Sequence, residues 1–334
     1  MFFDPQPNRR SEIQTALFNA RPAAKPDTIQ TGFLSFDAAL QIGGLPRGHI
    51  VEVFGHESSG KSTIALQAIA AAQQAGCIGA YIDAEGTFDA RYAKNLGVDL
   101  ESLVLVRPTG GERAFRILLQ LVQSGGIDLA VIDSLTALDP SYNGVMMHSE
   151  MCATFLRRLS VQIARSKTCL LITNQLRSRM AEQQVGPPET TTGGWSVKLF
   201  SSVRIDFQIM DYESSNNQAT GQRMQVKVVK NRLASGVRKA NLTLRFGSGF
   251  SAELDILEHA LHQELIDRYA DEYLYGGLGL GSSLEEAACF LSARTDVRNH
   301  MRNELELLLG IPQRKPMGEA ACAGQNARQA TRCA

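Results

Sequence analysis

No run of 18 apolar residues and no secretory hydrophobic segment occurs in the 334-residue sequence. That argues against a membrane-spanning helix or a leader and leaves a soluble, cytoplasmic protein as the expectation. Cysteine is sparse: Cys77, Cys152, Cys169, Cys289, Cys322 and Cys333 form no C-x-x-C pair and have no histidine at metal-ligand spacing. A disulfide framework and a zinc site are therefore not indicated, and the cysteines inside apolar runs read as small core residues of a reduced protein. An excess of charge is missing too, since 34 Lys+Arg balance 34 Asp+Glu. Any attraction to nucleic acid must come from a local patch.

What is present is concentrated between Ile50 and Ala75. The first five residues, apolar apart from Glu52 and mostly β-branched, read like a short buried strand, and from Thr63 the apolar residues Ile64, Leu66, Ala68, Ile69 and Ala72 recur at helical spacing up to Gly76. Between them, Gly55-His56-Glu57-Ser58-Ser59-Gly60-Lys61-Ser62, followed by Thr63, completes G-x-x-x-x-G-K-[ST]. Glycines allow the backbone N–H groups to fold around a polyphosphate, with the positive end of the next helix behind them. Lys61 then reaches the β- and γ-phosphates and the Ser62 hydroxyl can ligate Mg²⁺. The stretch reads as a nucleotide-binding P-loop, with ATP and Mg²⁺ as expected cofactors.

Further strands are expected at Ile78–Asp83, Leu103–Arg107, Leu129–Asp133 and Thr168–Thr173, separated by helices Glu112–Val122 and Ser149–Ser166. Continuous apolar runs alternating with helices predict an α/β fold with a mostly parallel sheet covered on both faces. Val203–Met210, Met224–Lys230 and Ala240–Phe246 alternate in polarity and predict an antiparallel or mixed extension. Helical patterns after Ala252 predict a small α+β domain. The resulting division is an N-terminal arm (1–30), an ATPase core (31–250), a C-terminal domain (251–310) and a tail (311–334) expected to be disordered, with four cations against one glutamate.

Two carboxylates extend the P-loop reading. Asp133 ends an apolar strand, where P-loop ATPases hold Mg²⁺ or its waters; a helix N-cap is the alternative. Glu85 ends another strand on the same carboxyl edge, suited to orient and deprotonate an attacking water; a solvated turn residue is the alternative. Gln175 ends a third strand before a polar loop, so its amide either senses a γ-phosphate or satisfies its own strand end. From 157 to 179, Arg157, Arg158, Arg165, Lys167, Arg177 and Arg179 occur with no intervening acid. These charges suit a phosphate backbone or form a solvated helix face.

Together these stretches resemble the bacterial RecA recombinase family over roughly Thr31 to Leu309. The resemblance rests on the P-loop, Tyr81-Ile82-Asp83-Ala84-Glu85, Val131-Ile132-Asp133-Ser134, Glu189-Thr190-Thr191-Thr192-Gly193-Gly194 and Val226-Lys227-Val228-Val229-Lys230-Asn231. It implies a RecA-type ATPase core assembling as a filament or ring on single-stranded DNA, with double-stranded DNA as second substrate. Catalytic roles are implied for Lys61, Glu85 as base, Gln175 as γ-phosphate sensor, and Lys230 and Arg232 acting on a neighbouring subunit's ATP. Asp89, Tyr92 and Phe246 are implied at the nucleotide base. DNA is implied to bind two loops, about Pro140–Ser149 and Arg177–Gly194, with contacts from Arg157, Arg158, Arg177, Arg179, Thr191, Thr192, Gly193 and Gly194.

The sequence also departs from the family pattern. Its first loop is short, Trp195 stands where asparagine is usual, Gln225 replaces an arginine, Arg232 replaces a lysine, and the tail is basic where the family's is acidic. Two functions follow as expectations. One is a DNA-dependent ATPase that promotes homologous pairing and strand exchange in DNA repair, with repressor co-cleavage in the SOS response. The alternative is an accessory ATP-binding module that engages a polymerase, recombinase or repressor without strand exchange. A small-molecule kinase has little behind it, because no second substrate site is apparent.

Overall fold

The structure, a computed structural model, describes residues 26–138, 144–178, 189–215, 218–236, 238–269 and 271–312, without the side chains of 144–148, 178 and 215. Most of the expected arm, Arg179, parts of both expected DNA loops and the basic tail lie outside the described residues.

A two-stranded ribbon, β1 (Thr28–Ile29) with β2 (Leu45–Pro46), brackets the short helix α1 (Leu34–Ala39). The core then alternates β3 (Ile50–Gly55), α2 (Lys61–Gln74), β4 (Gly79–Asp83), α3 (Ala90–Asn95), β5 (Val104–Val106), α4 (Gly111–Gln123) and β6 (Leu129–Asp133). It continues through a 3₁₀ turn (Leu135–Leu138), α5 (Gly144–Ser166), β7 (Cys169–Ser178), β8 (Glu189–Thr191), α6 (Gly194–Phe200) and β9 (Val203–Ser215). Strands β10 (Gln218–Asn231), β11 (Lys239–Arg245) and β12 (Gly249–Phe250) complete one sheet of order β12-β11-β10-β9-β3-β7-β6-β4-β5. The six strands from β9 to β5 pair in parallel, and β9 to β12 pair antiparallel.

The period of two along each central strand divides its side chains between two cores. Leu129 and Val131 of β6 join Val51, Val53 and the almost fully buried helix α2 on one face. Ala130 and Ile132 join Phe115 and Leu118 of α4 and Leu156, Leu159 and Ile163 of α5 on the other. On that face the buried Phe115 and the half-buried Phe155 stack with centroids 4.9 Å apart, full burial of such a ring contributing about 1.5–3 kcal/mol. A third core joins Leu34 of α1 to α7 (Ala252–His262), α8 (Leu284–Ala293), α9 (Thr295–Leu308) and a small sheet of β13 (Asp267–Tyr269), β14 (Glu272–Tyr275) and β15 (Leu278–Gly281).

Differences from expectation lie where polar sequence is held by tertiary pairing. Helix α5 begins at Gly144 rather than Ser149, so it takes in part of the expected first loop. Strand β7 runs past Gln175 to Ser178 and pairs with β8, inside the expected second loop. The β9–β10 hairpin is far longer than its alternating core, reaching Ser215 and Gln218.

Candidate functional site

The parallel strands deliver their ends to one edge. In register, Gly55 of β3 lies beside Gln175 of β7, and Asp83 of β4 beside Asp133 of β6. A cleft of about 700 Å³ opens there, and its lining includes Lys61, Ser62, Glu85, Asp133, Gln175 and Tyr92. Residues far apart in sequence are thus gathered by topology at the carboxyl ends of the strands.

The loop between β3 and α2 is built for close approach. Gly60 sits at φ +75°, where a Cβ would lie 2.8 Å from the Phe250 ring, so a side chain is disfavoured both by conformation and by space. The buried Lys61 ammonium donates to His56 O at 2.5 Å and to Ser59 Oγ at 3.2 Å. Burial pushes Lys61 below the ordinary lysine range, against the opposing pull of Asp133, Glu85 and Glu57. Ser62 is exposed beside it, at the first turn of α2.

Asp133 is fixed on both oxygens. Thr173 Oγ1 donates to Oδ1 at 2.5 Å, and the Tyr81 hydroxyl donates to Oδ2. Burial first, and the Asp133 charge second, push the Tyr81 phenol above its ordinary range, so it stays a donor. Glu85 is exposed at the cleft and accepts a hydrogen bond from Ser134. Behind it, Asp83 accepts from the Thr87 and Phe88 N–H groups and from Arg107 Nε at 3.0 Å, folding the turn that presents Glu85. Among the described residues no cluster of three His, Cys, Asp or Glu could cage a metal. The donor set of one hydroxyl and one oriented carboxylate suits a Mg²⁺ that is shared with phosphate oxygens.

Of the residues expected at the base, Tyr92 and Phe246 line the cleft, with the Tyr92 hydroxyl 2.9 Å from Thr63 Oγ1. Asp89 is not in the lining; its carboxylate caps α3, accepting from the Arg91 and Tyr92 N–H groups at 2.8 and 3.1 Å. Gly55 and His56 also lie outside the lining, and the His56 ring faces Glu189 at 3.5 Å. Lys230 is not among the residues lining the cleft. Its ammonium caps the carboxyl end of α6, donating to the Ser201, Leu199 and Lys198 carbonyls. Burial, with repulsion from Arg232 and Arg204, lowers it to about 8. Arg232 is exposed.

Of the residues expected at DNA, Arg157 and Arg158 are exposed on α5 and Arg177 at the end of β7. Trp195 is 85% exposed, with Lys198 Nζ 5.9 Å from its ring centroid, and is not a packing residue. Thr191 and Thr192 are tied back to the sheet by a buried network that sequence reasoning missed. Glu52, fully buried, accepts from Arg204 Nε at 2.5 Å and Asn174 Nδ2 at 2.9 Å. Asn174 also donates to Thr192 O at 2.9 Å, and Arg204 Nη2 to Thr191 Oγ1 at 3.3 Å. Gly193 and Gly194 follow directly as the N-terminus of α6. The available signal was a glutamate inside an otherwise apolar strand, since a buried charge needs partners.

Comparison with known proteins agrees with this arrangement. The family model described as the RecA N-terminal domain matches residues 15–251. Protein RecA of Leifsonia xyli subsp. xyli is 40% identical over 296 residues, covering 86% of this chain and 83% of that protein. Protein RecA of Nitratiruptor sp. is 38% identical over 293 residues, 85% of each chain. Protein RecA of Streptomyces avermitilis is 38% identical over 315 residues, 90% of this chain and 83% of its own length. Similarity of this extent, reaching beyond the P-loop core, does not favour an accessory module over the recombinase. The chain belongs to the RecA family, the DNA-dependent ATPases of recombinational DNA repair.

Proposed function

We propose that ATP is hydrolysed in the cleft at the ends of β3, β4, β6 and β7, and that the second DNA loop reads the state of the nucleotide through β7. The observation that carries this is the convergence of Lys61, Ser62, Glu85, Asp133 and Gln175 on one cleft. The P-loop N–H groups and Lys61 hold the β- and γ-phosphates. Ser62 and the doubly anchored Asp133 would hold Mg²⁺, which supplies charge neutralisation at the phosphates. Glu85 orients and deprotonates the attacking water, and Gln175 contacts the γ-phosphate. Asn174, next to Gln175 and bonded to Thr192, links that contact to the Thr191–Gly194 stretch.

In this reading copies of the chain assemble head to tail on single-stranded DNA, and Lys230 and Arg232 serve the neighbouring subunit's ATP. Arg157, Arg158, Arg177 and Arg179 meet DNA phosphates, and Thr191, Thr192, Gly193 and Gly194 contact the strand. Strand exchange with a duplex follows, in the cytoplasm, and a repressor docks on the same assembly. No helix among the described residues is long and apolar enough to cross a membrane. The test is ATP turnover by the full chain with and without single-stranded DNA. Strong stimulation is expected, and a rate indifferent to DNA would overturn the coupling.

A further inference from the structure

The cleft has a wall that neither the P-loop nor the carboxylates explain. Besides Tyr92 and Phe246, it is lined by Tyr212 and Gln222, which belong to the outer part of the long β9–β10 hairpin and face each other as Cα partners. Directly opposed residues of an antiparallel pair project from the same face, so both side chains belong to one surface, turned to the cleft. The hairpin is fastened there at two points. Gln222, only 2% exposed, donates from Nε2 to Ser58 O of the P-loop at 2.7 Å. The Phe246 N–H donates to Thr220 O at 3.0 Å. Gly221 lies between these ties, and a Cβ there would stand 2.5 Å from Leu244 O, so glycine permits the hairpin to press against β11.

We propose that Tyr212 is a nucleobase-binding residue of this protein, its ring covering the base of the nucleotide whose phosphates lie on the P-loop. The assignment rests on the proposed nucleotide cleft and adds an element of the hairpin to it. Tyr212 is 58% exposed and Phe246 49% exposed, although both are aromatic and both line the same concavity. Large apolar rings left half in water around one cleft mark a surface that a flat aromatic ligand covers. Lys61 and Ser62 lie at the start of α2, while Tyr92, held to Thr63, belongs with the aromatic lining. Stacking needs only a π-face, so this wall favours purine nucleotides through ring area rather than through adenine-specific hydrogen bonds. Gln222 acts as a positioning residue, holding the hairpin to the loop.

The test is calorimetric titration of the full-length chain and its Tyr212→Ala, Tyr212→Phe and Lys61→Ala variants with ATP, GTP and inorganic tripolyphosphate, with Mg²⁺ present. Tyr212→Ala should weaken ATP and GTP about tenfold, toward the low end of what loss of one stacked ring costs. Tripolyphosphate, which has no base, should bind the Ala variant as it binds wild type, and Tyr212→Phe should keep wild-type affinity for ATP. Equal losses for ATP and tripolyphosphate would mean the variant distorts the P-loop and would overturn the assignment. ATP affinity unchanged in Tyr212→Ala but lost in Lys61→Ala would overturn it while leaving the cleft intact. Wild type that binds neither ligand would overturn the cleft reading and this assignment with it.

Discussion

Replacing Glu52 by leucine tests whether the buried network of β3, β7 and β9 holds the Thr191–Gly194 stretch, the proposed second DNA loop. Glu52 is fully buried, and its two oxygens bind Arg204 and Asn174. In Glu52→Leu the Arg204 guanidinium keeps only the Thr191 hydroxyl and the Phe54 ring, 4.7 Å away. Removing one partner of a buried pair costs about 3–5 kcal/mol. The Arg204 side chain is 14% exposed, so some hydration is regained and the low end, about 3 kcal/mol, is expected. Glu52→Leu/Arg204→Met removes both charges, and paired replacement by apolar residues of similar size is often near neutral. What remains is the loss of the Asn174 and Thr191 bonds, about 1 kcal/mol each. The double variant should therefore be about 1 kcal/mol more stable than Glu52→Leu, a difference that urea midpoints at constant m resolve. DNA stimulation of ATP turnover should fall in both, because Thr191 loses Arg204 or its anchor. A double variant as destabilised as the single one would refute the pairing argument.

Four further outcomes are expected. Glu85→Gln should retain ATP binding but slow turnover by about 10²-fold or more, and normal single-turnover rates would exclude Glu85 as the base. Lys230, held to about 8, sheds its proton as pH rises through that value, so turnover should decline on the alkaline side and Lys230→Arg should move the decline upward. The unfolded lysine keeps its proton to about 10.4, so between these values the unfolded state binds more protons and this group's contribution to stability rises with pH while activity falls; parallel pH trends would contradict the assignment. Arg157→Ala/Arg177→Ala should flatten the salt dependence of DNA binding by about one log unit per lost phosphate contact, and an unaltered slope would return both residues to solvent. Lys61→Ala and Lys230→Ala/Arg232→Ala should each be nearly inactive alone, yet an equal mixture should regain activity at about one interface in four, whereas co-assembled but dead mixtures would assign the cations to their own subunit.

The core was legible because its signals are local. A strand whose alternate residues enter two separate cores must be apolar throughout, as Leu129 to Ile132 are, and such runs are visible without knowing their neighbours. The P-loop, Glu85 and Asp133 were legible for the same reason: each stands at a strand end, and parallel topology sends all such ends to one edge. The anchors of Asp133 were not. Tyr81 and Thr173 look like ordinary strand residues, and only the pairing of β4, β6 and β7 turns them toward one carboxylate. The element ends were misjudged where pairing outweighs composition. Residues 211–215 and 218–223 are mostly polar, yet two strands hydrogen-bonded across a hairpin satisfy their backbones without a continuous apolar face.

Lys230, whose role on a neighbouring subunit's ATP is implied by the family resemblance, sits within the chain on the carbonyl end of α6, where a positive charge is favourable. The same helix begins at Gly194, directly after the Thr192 carbonyl that Asn174 holds. Helix α6 is thus gripped at its leading end through the strand carrying Gln175 and at its trailing end by Lys230. A displacement of the Thr191–Gly194 stretch by DNA has to move the helix or strain one of these grips. Where the helix moves, the Lys230 ammonium changes its distance from its carbonyls, and with it the desolvation and repulsion that lower its proton affinity. In the proposed reading, where DNA binds the Thr191–Gly194 stretch, binding DNA and charging the cation are linked by one short helix. The linkage predicts that the alkaline decline in turnover shifts when DNA is bound, and a decline at the same pH with and without DNA would separate the two.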